Sequence, residues 1–368
     1  MRLVLAVGGS AGHIYPALAV VEALREIVPE LRAFWLGRPG SIEEDLVRRE
    51  PGIAFIPFRS AGIPRAQPLR GTRTLLSLPR SVWRAVHILE ELSPDVVLGM
   101  GSYTSFAPGM AARLLGIPLV IHEQNVSLGL ANRVLARFAT RVLLGFPQTL
   151  EEVPHRSKAK VTGTPVRRCI VERRTPYRGG GYLLVLGGSL GSSLLVNAVE
   201  EGAEVLRRLP GFAALVSVGR FGEPVEVEGS LKEAGLENLQ VVRWIGDMGA
   251  AYAGARLVIS RAGASTVAEV LAAGRPAIFV PWLGAAGGHQ EKNAYAVSAG
   301  GGAFLLLEDE VRRGRLTRMI ARLWNDPRTL REVARRASRM ARPEAAETVA
   351  QELLWVAEGL RWTTPACT

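Results

Sequence analysis

The chain has 368 residues, 48% of them hydrophobic, with 45 basic against 34 acidic side chains and a net charge of +11. That length suits two domains, each burying its own core, and the apolar content excludes a disordered chain. The basic excess, almost all of it Arg, reflects either a codon bias or an anionic partner such as anionic lipid or a phosphorylated substrate; aromatic RNA-binding signatures and zinc-finger spacings are absent, so nucleic acid is not expected.

The aliphatic run Leu3–Val7 meets Gly8-Gly9-Ser10-Ala11-Gly12, after which Ile14, Leu18, Val21, Leu24 and Val28 recur at helical spacing. The run is too short for an export signal, and no apolar run approaches the roughly 18 residues of a spanning helix. A protein that is soluble or sits on a surface is expected. A second strand is expected over Ala33–Leu36. Next come Arg65, Arg70, Arg73, Arg80 and Arg84 among Leu69, Leu75, Leu76, Leu78, Val82 and Trp83. Basic residues among apolar ones suit an anionic membrane interface, or belong to an ordinary amphipathic helix.

Val96–Leu98 then runs into Gly99-Met100-Gly101-Ser102, and Leu119–Ile121 into His122-Glu123-Gln124-Asn125. Past Gly163-Thr164-Pro165 the opening device returns. Leu183–Leu186 leads into Gly187-Gly188-Ser189-Leu190-Gly191-Ser192 and a helical pattern through Leu195, Val199 and Leu206. Val258–Ser260 runs into Arg261-Ala262-Gly263-Ala264, and Ile278–Val280 follows Gly274 and Pro276. A last helix is expected from near Pro343, with Val349, Leu353, Val356 and Leu360 on one face. Short buried strands alternating with longer helices imply parallel sheets. The repeated Gly turn implies an α/β protein of two Rossmann-like domains, 1–163 and 164–343, with 344–368 as a further helix.

Cys169 and Cys367 lie far apart and form no CxxC, so neither a disulfide framework nor a zinc site is expected, and a reducing cytoplasm is the simpler setting. No Asp-x-Asp and no His/Cys/Asp cluster at ligand spacing occurs, so no metal or cofactor is expected. The GxGxxG spacing of dinucleotide folds is not met, the second strand ends in Gly37-Arg38 rather than an acid, and no Walker A loop follows any Gly turn.

Ligands of parallel α/β sheets bind beyond the carboxyl ends of the strands, where all these turns lie. Glycine lets backbone N–H groups approach an anion, and the following helix N-terminus adds positive charge. His13, directly after the first turn, can accept a proton near neutral pH. His122 and Glu123 could bind substrate or order their loop. Glu269 could accept a ribose diol or simply pair with a helix dipole. Gln290 could recognise sugar hydroxyls. A departing diphosphate would find counter-charge at helix N-termini and at Arg167 or Arg261.

In the combination of these motifs, the chain resembles the bacterial N-acetylglucosaminyltransferases of peptidoglycan synthesis. The likeness covers nearly the whole chain. It is carried by Gly8–His13 with Pro16-Ala17-Leu18-Ala19, Gly101-Ser102-Tyr103, His122–Asn125, Gly163–Arg167, Gly187-Gly188-Ser189, Ser260–Glu269 and His289–Ala294. It implies the GT-B fold, two Rossmann-like domains facing across a cleft, with the final helix crossing back onto the first domain. It implies a UDP-GlcNAc site of Arg167, Ser189, Ile245, Ala264, Ser265, Thr266, Val267, Ala268, Glu269 and Gln290, reached from the first domain by Ser10, Ala11, Gly12 and Asn125. The acceptor would be undecaprenyl-diphosphate-MurNAc-pentapeptide (lipid I), arriving beside a membrane patch of Arg73, Leu75, Leu76, Arg80, Trp83 and Arg84. The reaction implied is an inverting displacement by the MurNAc C4 hydroxyl. His13 is the candidate base and Glu123 a helper, in a peripheral protein at the cytoplasmic face of the cell membrane. A UDP-GlcNAc 2-epimerase is the rival enzyme with the same donor.

The chain departs from this family pattern at Ala11 and Ser102, where Gly is usual, at Leu190, where Gln is usual, and at Gly287-Gly288, where an acid commonly precedes His-Gln. If position 11 required a left-handed backbone, alanine there would cost about 1–2 kcal/mol.

Overall fold

The computed structural model describes residues 1–60 and 68–359, and side chains at 1–60 and 78–359. The side chains of the expected patch members Arg73, Leu75 and Leu76, and the expected helix beyond residue 359, lie outside what the structure describes. The chain divides into two units: Met1–Pro165 with the segment from Glu344, and Val166–Pro343.

Among the described residues, the first unit holds seven parallel strands: β1 (Arg2–Ala6), β2 (Arg32–Gly37), β3 (Ile53–Pro57), β4 (Val96–Gly99), β5 (Leu119–Glu123), β6 (Arg141–Leu144) and β7 (Ala159–Val161), in the order β3-β2-β1-β4-β5-β6-β7. The second holds six: β8 (Tyr182–Leu186), β9 (Ala214–Ser217), β10 (Leu239–Val242), β11 (Ala255–Ser260), β12 (Ala277–Phe279) and β13 (Phe304–Leu305), in the order β10-β9-β8-β11-β12-β13. Central strands such as β4 and β5 are buried along their whole length, which is why they read as unbroken apolar runs rather than alternating ones. The expected α/β class of two parallel-sheet, Rossmann-like domains is what forms.

The order in which successive strands are added across each sheet reverses between β1 and β4 in the first unit and between β8 and β11 in the second. Such switch points open the crevice in which ligands of α/β sheets bind. The turns after β1 and β4 meet at the first of them, and those after β8 and β11 at the second.

The helix Ala11–Ile27 follows β1 and packs beside Ala345–Ala357, whose Val349, Leu353 and Val356 enter the same core as Ile14, Val21 and Leu24. Buried Glu352 ties this last helix to β6 and β7, Oε1 accepting from Lys160 Nζ at 2.8 Å and Oε2 lying 3.3 Å from Arg141 Nε. Pro343 precedes this helix rather than opening it, because Glu344 is the capping residue.

The helical pattern expected from Leu195 to Leu206 is two helices, Ser193–Glu201 and Ala203–Leu206. They part at Gly202, where a Cβ would stand 2.4 Å from Thr317 Oγ1, so a neighbouring helix approaches too closely for any side chain.

Candidate active site

At the first switch point the backbone strain falls elsewhere than expected. Ala11 is the first residue of its helix and does not take a positive φ, so the left-handed cost foreseen for it does not arise. Ser102 carries the strain instead, at φ 66° and ψ 164°, a region that essentially only glycine visits. Its neighbour Gly101 is at φ 81°. The usual glycine of the resemblance would suit position 102, and this chain has paid for a hydroxymethyl group there.

Ser10 caps Ala11–Ile27 with an extended backbone and no side-chain bond to the helix; it and Gly12 are exposed, and Ala11 is half-buried. The turn thus presents a helix N-terminus and small residues at the sheet edge, a surface suited to an anionic or polar group. His13, half-buried and third in the helix, has Nδ1 2.8 Å from Gln124 Oε1. Gln124 Nε2 lies 3.2 Å from His122 Nδ1, and His122 Nε2 lies 2.9 Å from the Gly163 carbonyl. His122 is wholly buried, and that burial, ahead of the opposing effect of the Gly163 carbonyl, pulls it down to about 4. It is therefore neutral at ordinary pH.

Glu123 is buried and turned onto its own loop. Oε1 accepts from Asn125 N at 3.1 Å and Asn125 Nδ2 at 3.0 Å; Oε2 accepts from Gly129 N and Asn132 Nδ2, both at 2.9 Å. Of the two options the sequence left open, the geometry matches loop ordering: a carboxylate gripped by four donors fixes where half-buried Asn125 stands.

At the second switch point, Gly187–Ser192 repeats the device. Gly191, at φ 89°, would bring a Cβ within 2.0 Å of the Val218 carbonyl, so the turn is tight against β9. Ser189 is half-buried and its carbonyl accepts from Arg220 N at 3.2 Å. Ser192 caps Ser193–Glu201, and among the described residues its buried Oγ has no hydrogen-bond partner. The residue stands at a helix N-terminus, where partial positive charge suits an anion, and the sequence alone gave it no role.

The helix Ala264–Ala273 follows β11. Ala264, Ser265, Val267 and Glu269 are buried and Thr266 and Ala268 half-buried. Val267 is fully buried in the interior and its amide is bound to the Gly263 carbonyl, so its side chain serves the fold. Glu269 is also already engaged: Arg167 Nη2 and Nε reach its Oε1 at 2.8 and 3.1 Å, and Tyr252 Oη donates to Oε2 at 3.1 Å. Two residues expected to act separately on the donor, Arg167 and Glu269, are thus one ion pair.

Tyr252, unforeseen, completes the trio. Its burial, with the Glu269 carboxylate beside it, pushes the phenol well above its usual range, so it is a permanent donor. Ile245 lies half-buried in the loop between β10 and the helix Met248–Ala253 that carries Tyr252.

Arg261 is matched to Glu308 at 2.6 Å and to the Val280 carbonyl at 3.2 Å. With Arg167 and Arg261 both facing carboxylates, the helix N-termini are the better source of positive potential for a leaving diphosphate. Half-buried Gln290, second in the helix His289–Ala299, spends its Oε1 on Trp282 N at 2.9 Å, which directs its amide nitrogen elsewhere.

On the helix Pro68–Leu92, Ala85 and Leu89 are buried while Arg80, Trp83, Arg84 and His87 are exposed at helical spacing. Trp83 is 66% exposed and stands edge-on to His87, ring centroids 4.1 Å apart. Among the described residues, no helix is long and apolar enough to cross a membrane.

Family models of the glycosyltransferase family 28 N-terminal and C-terminal domains match residues 3–144 and 182–349. The chain is 40% identical to a protein of Cupriavidus pinatubonensis, covering 95% of this chain and 96% of the relative, and 38% identical to one of Halorhodospira halophila, covering 96% and 98%. Both are named UDP-N-acetylglucosamine–N-acetylmuramyl-(pentapeptide) pyrophosphoryl-undecaprenol N-acetylglucosamine transferase. Among solved structures, MurG of Acinetobacter baumannii matches with a TM-score of 0.75 at 30% identity, covering 96% of this chain and 99% of that one. A UDP-N-acetylglucosamine 2-epimerase of Neisseria meningitidis matches with a TM-score of 0.65 at 15% identity, a likeness of fold alone. With both domain models matched and these relatives aligned from end to end, the chain belongs to glycosyltransferase family 28, among its N-acetylmuramyl-(pentapeptide) pyrophosphoryl-undecaprenol N-acetylglucosamine transferases.

Proposed function

We propose that this chain moves GlcNAc from UDP-GlcNAc to the C4 hydroxyl of MurNAc in lipid I, making the disaccharide lipid of peptidoglycan synthesis. The observation that carries this is the end-to-end kinship with transferases so named, at 38–40% identity. The acceptor oxygen attacks the anomeric carbon from the face opposite the nucleotide. The bond to the diphosphate oxygen breaks, its electron pair leaves with UDP, and the configuration inverts. His13 Nε2 takes the hydroxyl proton.

The second unit's edge is the donor side. The Arg167–Glu269–Tyr252 group presents a fixed carboxylate for the ribose diol. Ser192 Oγ, with the N-termini of Ser193–Glu201 and Ala264–Ala273, meets the diphosphate, where fixed dipoles stabilise leaving charge at no reorganisation cost. Ile245 reads the base through its backbone and Gln290 the sugar. The first unit's edge is the acceptor side, where Ser10, Ala11, Gly12 and Asn125 shape the wall. Glu123 acts by holding Asn125 and does not touch the reacting atoms. The exposed Arg80–Trp83–Arg84 face supports peripheral binding to an anionic membrane, where the acceptor resides.

Transfer of labelled GlcNAc from UDP-GlcNAc to lipid I, with and without EDTA, tests this. Labelled disaccharide lipid in both conditions is expected. Altered UDP-sugar formed without any acceptor would mark an epimerase instead.

A further inference from the structure

We propose that Gln124 and His122 are positioning residues that fix the tautomer of His13, so that its Nε2 carries the lone pair that accepts the acceptor's proton. The inference rests on the assignment of His13 as the base.

The direction of the chain of bonds follows from one end that can only accept. The Gly163 carbonyl, 2.9 Å from His122 Nε2, has no proton to give, so Nε2 carries the hydrogen. Thr162 Oγ1 also lies 3.4 Å from that nitrogen, but its hydroxyl donates to the same carbonyl at 2.9 Å. Neutral His122 therefore has its lone pair on Nδ1, facing Gln124.

The Gln124 amide must answer with its nitrogen. Nε2 finds two acceptors on His122, Nδ1 at 3.2 Å and the backbone carbonyl at 3.4 Å, so both amide hydrogens have their place. Oε1 is then the atom left facing His13, and it can only accept. His13 Nδ1, 2.8 Å away, must be the protonated nitrogen. The proton-accepting lone pair is thereby assigned to Nε2, although free imidazole side chains favour the opposite tautomer. The Gly101 turn lies over the pair, since a Cβ there would stand 3.7 Å from His13 Cε1 and 3.8 Å from Gln124 Oε1.

Burial keeps the device in one state. His122 is 0% and Gln124 1% exposed, and a charged His122 would put N–H against N–H at Gln124. An amide cannot take the proton from His13, so the chain orients the base and does not conduct. Because the orienting group is neutral, it does not hold His13 protonated as a carboxylate would.

The test uses the full chain labelled with 15N-histidine, its five histidines assigned by single substitutions. Long-range 1H–15N spectra at pH 8 should show His13 as the Nδ1–H tautomer and His122 as the Nε2–H tautomer. His13 found chiefly as Nε2–H in the unmodified protein would overturn the proposal, and this readout needs no variant to fold. In transfer assays, Gln124→Leu should lower kcat about 10²-fold, within the range of general-base contributions, with the KM for UDP-GlcNAc within about twofold of the parent's, as expected for a pure orientation effect. Gln124→Glu should keep more of the rate and move the acid limb of the kcat profile to higher pH, since a carboxylate favours the imidazolium. Equal kcat and equal pH limbs in all three proteins would also overturn it. Unchanged turnover in His13→Ala would reject His13 as the base, while the tautomer spectrum would still decide whether Gln124 and His122 fix the His13 tautomer.

Discussion

Gly8 and Ser102 compete for one volume: a Cβ on Gly8 would fall 2.2 Å from Ser102 Cβ and 2.4 Å from its Oγ. The turns after β1 and β4 are thus keyed to each other at the first switch point. Gly8→Ala should abolish transfer and lower the unfolding temperature. The loss should be smaller in a Ser102→Gly background, although Thr104 Oγ1 at 2.7 Å keeps it from vanishing. Ser102→Gly alone relieves a strained backbone worth about 1–3 kcal/mol against roughly 0.5–1 kcal/mol of added chain entropy. It should therefore raise stability in urea unfolding. A destabilised Ser102→Gly would mean the serine hydroxyl holds more than the strain costs.

The Arg167–Glu269–Tyr252 trio yields a second expectation. Tyr252→Phe removes one donor from a buried carboxylate, a loss of about 1.5–3 kcal/mol of stability for a bond to a charged group. It should weaken UDP binding only a few-fold. Glu269→Ala should weaken it by about tenfold or more, because it removes the diol acceptor and the carboxylate that pairs with Arg167. Calorimetric titration with UDP checks the order; equal affinities in both variants would refute the ribose assignment.

His122 gives a pH signature. Its folded value, about 4, lies below the ordinary 6.5 because burial disfavours the cation. The unfolded chain therefore binds the proton first as pH falls from 6.5 towards 4, and stability drops across that window. The full effect is about 3 kcal/mol. Urea midpoints measured from pH 7 to pH 4.5 should fall, and His122→Gln should flatten the slope. An equal slope in the variant would contradict this.

The exposed Arg80–Trp83–Arg84 face predicts binding to anionic vesicles that weakens with salt. Arg80→Glu with Trp83→Ala should reduce co-sedimentation with phosphatidylglycerol vesicles and leave UDP affinity intact. Undiminished co-sedimentation would remove the membrane role from this face.

Much of the framework was legible because parallel strands buried on both faces and Gly turns leave local marks. Leu3–Val7, Leu183–Leu186 and the turns that follow them needed no long-range knowledge. What stayed hidden was set by contacts across the fold. The break at Gly202 depends on Thr317, far along the chain. Ala11 looked strained only because its backbone angle could not be read; its place inside the helix removes the problem and Ser102 takes it up. Arg167 and Glu269 were each visible, yet their pairing across 102 residues was not. Tyr252 sits in a small-residue helix, Met248–Ala253, and a lone phenol there was the one local hint of it.

The most direct measurement concerns His13→Ala, assayed for UDP-GlcNAc binding by calorimetry and for GlcNAc transfer to lipid I with the same protein. Donor affinity within about twofold of the parent's, with transfer reduced about 10²–10⁴-fold, is the predicted result. Turnover equal to the parent's would contradict the assignment of His13 as the base.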